Sequence, residues 1–317
     1  MDAPNQRDRE SFTAPQLRDR EFPPLFWPVP GLLCEGVYIL AGRPKAGKSQ
    51  LILQLAVAIA GGHEALGRFA TNRVGVVYLA LEDGDRRIQR RMQGIGQGWP
   101  EWLVFKTKVA AKMEDKLAAI RRLLDGFEGD EPAVLFVDTW GRFRPKKGGK
   151  DVYADDYEPM AQLATLAQQR PQLTIVVVHH TRKLGDEGGG TVEALEAVSG
   201  SYGLTGAADG VLIMDRRTGS AEATLTVVGR DMEERSFLLR REGELLVCLG
   251  EGRAGLKPEE QKIIGALIAI GGAAGPSAVA RHLAANVETI KKRMQRMASG
   301  DEASLTRNSR GMYEPVL

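Results

Sequence analysis

Cysteine is scarce in this chain of 317 residues: Cys34 and Cys248 are the only two, far apart and outside any C-x-x-C spacing. That excludes a disulfide framework and points to a reducing compartment. Histidine is nearly as rare, four in all, and no Cys or third His stands near the His179-His180 pair with ligand spacing. The pair therefore does not read as a zinc site. Long apolar runs are missing too, since none reaches the roughly 18–20 residues that a bilayer crossing needs. The opening MDAPNQRDRESF has no apolar stretch of the signal-peptide kind. A soluble, cytoplasmic protein without a membrane partner is expected. Nor is there an excess of charge of one sign. With 43 Lys and Arg against 41 Asp and Glu, the formal net charge is +2. Any polyanion must be met by local clusters, not by the surface as a whole.

What the chain does have is core material, 43% hydrophobic residues, enough for one large or two modest domains. It also has one strong motif. Gly42-Arg43-Pro44-Lys45-Ala46-Gly47-Lys48-Ser49 fits the spacing G-x-x-x-x-G-K-[ST]. The apolar GVYILA before it (36–41) reads as a buried strand. QLILQLAVAIA after it (50–60) has the length and apolar face of a helix. Strand, glycine loop and helix together form a cradle whose backbone N–H groups and helix N-terminus face phosphate oxygens. The candidate nucleotide-binding residues run from Gly42 through Ser49 to Gln50. Lys48 would reach the outer phosphates and the Ser49 hydroxyl would ligate Mg²⁺.

Three further apolar blocks end in chemistry-bearing residues. Val74 to Leu81 (VGVVYLAL) leads into Glu82-Asp83, and a basic helix with Arg86, Arg87, Arg90 and Arg91 follows. Glu82 at a strand's carboxyl end can polarise a water; the alternative is an acid that starts the helix and complements its dipole. Ala133 to Val137 (AVLFV) ends in Asp138, a hard oxygen donor suited to Mg²⁺ beside a phosphate loop. Leu173 to Val178 (LTIVVV) ends in His179 and His180, which as neutral groups can hydrogen-bond a terminal phosphate. Between these blocks, 141–156 is basic and glycine-containing, with Lys146, Lys147 and Lys150, and reads as too irregular for a helix. Arg182 and Lys183 open another glycine-rich stretch. Each is either a solvated loop or a contact to a phosphate backbone.

The ends of the chain differ from this middle. Residues 1–30 form an extended arm, proline-rich from Phe22 to Pro30, in which Leu25, Phe26 and Trp27 call for burial on the arm's own domain or on a neighbouring subunit. Beyond 209 the pattern turns to β-hairpins, with Arg230 at a strand end. An α/β domain over 31–250, a mainly parallel sheet flanked by helices with an antiparallel extension, is the expected architecture. After the GEGRAG linker, 256–317 reads as three helices and a hairpin, the winged helix-turn-helix pattern. Lys291, Lys292 and Arg296 on its third helix and Arg307 on its hairpin are candidate DNA contacts.

Taken together, GRPKAGKSQLILQLAVAIAGG, VVYLALEDGDRRIQRRM, VLFVDTWGRF, IVVVHHTRK and the strand bearing VVGRD resemble the RecA-fold hexameric ATPases, especially the RepA-type replicative helicases of plasmids and mobile elements. The likeness spans about residues 20–245 and leaves the C-terminal unit outside. It implies ATP and Mg²⁺ as cofactors, Glu82 as catalytic carboxylate, Asp138 as second metal-binding acid, and His180, with His179 as alternate, as sensor of the terminal phosphate. Arg230 resembles the arginine finger of DnaB-like rings; the RepA type places its finger earlier, where this chain has Asp209, and Arg216 and Arg217 are runners-up. The resemblance further implies a homo-oligomeric ring, a hexamer, with single-stranded DNA in a channel lined by Lys146, Lys147, Lys150, Arg182 and Lys183. Duplex DNA or a replication protein would meet the C-terminal unit.

Overall fold

The computed structural model describes residues 12–127, 131–145, 152–181, 206–216, 219–252, 256, 258–299 and 303–316. After a short helix α1 (Ala14–Arg18) come β1 (Gly36–Gly42), α2 (Lys48–Gly61), β2 (Gly75–Ala80), α3 (Asp85–Ile95) and β3 (Leu103–Lys106). Next are α4 (Met113–Asp125), β4 (Ala133–Asp138), α5 (Trp140–Phe143), α6 (Val152–Gln169) and β5 (Leu173–His180). Four strands follow, β6 (Gly210–Asp215), β7 (Glu222–Gly229), β8 (Met232–Glu242) and β9 (Leu245–Gly252). The C-terminal unit holds α7 (Pro258–Ile270), α8 (Pro276–His282), α9 (Val287–Met297) and the hairpin β10 (Leu305–Arg307) with β11 (Tyr313–Pro315).

Nine strands form one sheet in the order β3-β2-β4-β5-β1-β6-β7-β8-β9. From β3 to β6 neighbours run parallel, and from β6 to β9 they run antiparallel. The inner strands are apolar along their length because helices cover both faces. Alternation divides the core. Tyr38, Leu40, Val76, Tyr78, Phe136 and Val178 pack on the α2 side. Val37, Ile39, Leu79, Leu135 and Val177 pack with Met160, Leu163 and Leu166 of α6 on the other. In β1 one face thus meets α2 and the next residue along meets α6, so the loop leaving Gly42 is fixed from both sides.

The 141–156 stretch departs from the irregular loop expected of it. Trp140–Phe143 closes one helical turn, and α6 begins at Val152, inside the stretch. Buried Asp156 accounts for both, accepting Trp140 Nε1 at 2.8 Å and Arg144 Nη1 at 2.5 Å, so the two helical pieces share one anchor. The strand β3 and the helix α4 carry no sequence expectation at all and are additions.

The arm is not extended throughout, since Ala14–Arg18 is a short helix, and its later part packs on its own domain. From Phe26 onward it lies on its own domain: the Phe26 N–H donates to Glu35 Oε2 at 2.9 Å, and Asn72 Nδ2 donates to the Trp27 carbonyl at 2.7 Å. Upstream, Phe12, Leu17, Phe22 and Leu25 stay exposed. The C-terminal unit has its own core of Ile263, Leu267, Val279, Ile290, Met294 and Tyr313. It rests on the antiparallel extension through Lys262–Glu222 at 2.5 Å and Gln261 Nε2 to Ser236 Oγ at 3.0 Å. Among the described residues, no helix is long and apolar enough to cross a membrane.

Candidate functional site

The carboxyl edge of the parallel strands gathers the expected residues. The Gly42–Ser49 loop leaves β1, Glu82 and Asp83 follow β2, Asp138 ends β4, and His179 and His180 end β5. The loop can approach this closely because its glycines leave room. A Cβ on Gly42 would sit 2.3 Å from the Met214 carbonyl oxygen, and Gly47, at φ +112°, has the Met214 side chain 2.9 Å from where a Cβ would stand. Gly47 is also the N-cap of α2, and no side chain caps that end. Its first-turn N–H groups are thus left for an anion.

Lys48 is 3% exposed. Its ammonium donates to the carbonyls of Gly42 at 2.7 Å and Arg43 at 2.9 Å and meets His180 Nδ1 at 3.1 Å. Burial pulls its pKa down to about 8, with Asp138 and Glu82 opposing. A phosphate beside it would raise that pKa again. Because the ammonium only donates, His180 Nδ1 accepts and the ring proton belongs on Nε2, which faces Glu82 Oε2 at 3.8 Å. Glu82 in turn accepts the Thr139 hydroxyl at 2.7 Å. Lys48, His180, Glu82 and Thr139 make one polar row across β1, β5, β2 and β4.

Asp138 is 2% exposed. Burial raises its pKa, while hydrogen bonds from Ser49 and Tyr78 act against the rise. The Tyr78 hydroxyl donates to Oδ2 at 2.9 Å, and Oδ1 has no hydrogen-bond partner among the described residues. A buried carboxylate oxygen without a donor, beside a serine hydroxyl at a phosphate loop, has the chemistry of a Mg²⁺ site. The donor set fits the ion. His179 is pulled down to about 4, first by burial and then by the charges of His180, Arg144 and Lys48, with Asp156 opposing; His180 is lowered by burial and by Lys48. Both rings are neutral near pH 7.

The other expected residues lie elsewhere. Arg230 stands at the amino edge of the sheet, beyond the Gly210–Gly229 pair, 3.4 Å from Asp209. It is remote from its own chain's phosphate loop. Arg216, at the carboxyl end of β6, donates to the Lys45 carbonyl within the loop. Arg87 and Arg91 are held by Asp83, and Arg86 and Arg90 are exposed on α3. In the C-terminal unit Lys291 pairs with Glu288 at 3.6 Å, Arg296 with Glu260 at 3.1 Å, and Arg307 lies over the Tyr313 ring. Lys292 is exposed on the same helix. Lys146, Lys147, Lys150, Arg182, Lys183 and Arg217 fall outside the described residues. Tyr78 and Thr139 are site residues that no motif announces. Thr139 has a weak signal, its place directly after Asp138.

A family model described as AAA domain matches residues 4–186, more than half of the chain and the part that carries the loop, Glu82, Asp138 and both histidines. Among solved structures the chain is similar to a KaiC-like protein from the hyperthermophilic archaeon Pyrococcus horikoshii OT3, at 16% identity over 70% of this chain and 94% of that one, with a TM-score of 0.49. It is also similar to a DnaB-like replicative helicase, at 14% identity over 67% of this chain and 58% of that one, with a TM-score of 0.52. At such identities the second likeness shows the fold alone, and that fold is RecA-like.

Proposed function

The chain belongs to the AAA domain family, within the RecA-fold ATPases, and from that premise we propose that it is a Mg²⁺-dependent ATP hydrolase that works as a ring-forming DNA helicase or translocase. The replication of a plasmid, phage or mobile element is the setting this reading assigns. One observation carries the hydrolase part: Lys48, Ser49, Glu82, Asp138 and His180 converge on one sheet edge, with Asp138 Oδ1 buried and unpartnered among the described residues. Lys48 exchanges its loop carbonyls for the outer phosphate oxygens, and the α2 N-terminus takes the phosphates on its N–H groups. Ser49 and Asp138 would hold Mg²⁺, which would neutralise charge on those phosphates. Glu82, oriented by Thr139, accepts a proton from the attacking water. His180 Nε2–H is placed to donate to the terminal phosphate, and its link to Lys48 ties that contact to the loop.

The motor part is supported by the exposed apolar arm, which suits a neighbouring copy, and by the RecA-like fold. A second reading, an ATP-gated DNA-binding regulator or loader, is favoured by the C-terminal unit. Its three helices and hairpin fit a winged helix with Lys291 and Lys292 outward, a means of reading duplex DNA that a bare motor does not need. Strand displacement on a tailed duplex separates the two. The motor reading expects displacement that requires ATP hydrolysis and disappears in Lys48→Ala. Hydrolysis and DNA binding without displacement favour the regulator, and undiminished hydrolysis in Lys48→Ala removes both.

A further inference from the structure

Arg216 comes from the last parallel strand, β6, whose end lies directly against the phosphate loop: the Met214 carbonyl abuts Gly42 and the Met214 side chain abuts Gly47. From this base Arg216 Nη2 donates to the carbonyl of Lys45, the residue in the middle of the loop, which sits at φ +65° although it is not glycine. A planar trans peptide sends its carbonyl and its N–H in opposite directions. Fixing the Lys45 carbonyl outward on Arg216 therefore turns the Ala46 N–H inward, where it meets the Arg43 carbonyl at 3.2 Å across the loop. The interior is where phosphate oxygens are received.

The rest of the loop is braced differently. Lys48 holds the Gly42 and Arg43 carbonyls, but Lys48 is the residue that must turn to phosphate when nucleotide arrives. Arg216 holds a third carbonyl from outside, and nothing in binding requires it to let go. Its guanidinium is partly buried and close to Arg241, whose own charge is directed to Glu244 and the Gly243 carbonyl. The Gly243–Glu244 turn is itself tied to the loop helix, since Gln50 Nε2 donates to the Glu244 carbonyl. The loop and its helix are thus gripped on their outer side by the antiparallel extension, which lies beyond the segment that the family model matches.

We propose that Arg216 is a positioning residue for nucleotide in its own subunit, orienting the Lys45–Ala46 peptide of the phosphate loop, and not a finger that enters a neighbour's site. The inference rests on the ATP-hydrolase reading above. The outcome is read with full-length protein from binding of a fluorescent ATP analogue with Mg²⁺, steady-state hydrolysis, and mixing of variants. Arg216→Ala should weaken analogue binding about tenfold, the scale of a lost charged hydrogen bond. Arg216→Lys, which keeps a donor but loses the fork, should recover part of that. Thermal melting of both should stay at the wild-type value, which separates the effect from misfolding. Mixed with Lys48→Ala subunits, Arg216→Ala should show no recovery of hydrolysis, because each copy then carries a defect in its own loop. Recovery on mixing assigns Arg216 to the neighbour's site and overturns the proposal, as does wild-type affinity in Arg216→Ala. If the wild-type chain itself fails to bind the analogue, the ATP-hydrolase reading falls and this inference falls with it.

Discussion

His179 and His180 are neighbours in sequence with different surroundings, and the difference has a pH signature. His180 is half-exposed and tied to Lys48, whereas His179 turns inward among Asp156 and Arg144. Its folded-state pKa of about 4 lies below the ordinary value of 6.5. As pH falls, the unfolded chain takes up that proton first. The stability this ring preserves is therefore intact above the unfolded value and is lost progressively between 6.5 and about 4. The urea midpoint should drop across that window, and His179→Gln should drop less steeply; parallel slopes would show that another group titrates. At this scale the sequence is readable where a residue ends an apolar block, as Glu82, Asp138 and His180 do. It is opaque where a role depends on a distant partner. Tyr78 meets Asp138 across 60 positions and Thr139 meets Glu82 across 57, and no spacing rule reaches that far.

Among the elements, α2 does more than present the loop. It is buried along nearly its whole length, with Gln54 facing the outer edge of β9. Gln54 Oε1 accepts the Leu246 N–H at 2.8 Å and its Nε2 donates to the Leu246 carbonyl at 3.0 Å, as a tenth strand would. The Leu66 carbonyl accepts the Cys248 N–H at 2.8 Å in the same way. An edge strand that would otherwise invite pairing is closed by α2, the helix that follows the Gly42–Ser49 loop. Gln54→Leu should lower unfolding free energy by about 1–3 kcal/mol by leaving two buried backbone groups unpaired. The denaturant midpoint measures it, and an unchanged value would mean that water replaces the amide. Strands with clean apolar periods are legible in advance, which is why β1, β2, β4 and β5 agree with the reading to within a residue or two. The helix α4 is not, because Lys116 occupies a core position between Met113 and Ile120. Its ammonium is satisfied by the Phe143 carbonyl, a contact invisible in the local pattern. The short strand β3 has too few residues to declare a period.

On the scale of the whole molecule, the open question is what completes the site. Of the finger candidates among the described residues, Arg216 faces the outside of the loop and Arg230 sits at the opposite edge of the sheet. Within one subunit Arg230 only caps Asp209, whose carboxylate also receives the Val37 N–H at 2.8 Å and so locks the start of β1 to the start of β6. That anchorage gives Arg230 a rigid base, and its side chain is 66% exposed, so it is free to point into another copy. A finger in trans is worth roughly a thousandfold or more in turnover, since it meets charge that develops only in the transition state. If Arg230 is the finger of the proposed ring, Arg230→Ala should hydrolyse ATP at about a thousandth of the wild-type rate or less while binding the analogue normally. Mixed with Lys48→Ala, it should regain hydrolysis in proportion to the junctions that pair an intact loop with an intact finger. That is the opposite of what Arg216→Ala should do in the same experiment. Because the two arginines stand at opposite edges of one sheet, the pair of mixing curves reports which edge of each copy serves its own nucleotide and which serves its neighbour's. Wild-type turnover in Arg230→Ala, or failure to recover at every mixing ratio, would confine Arg230 to holding Asp209.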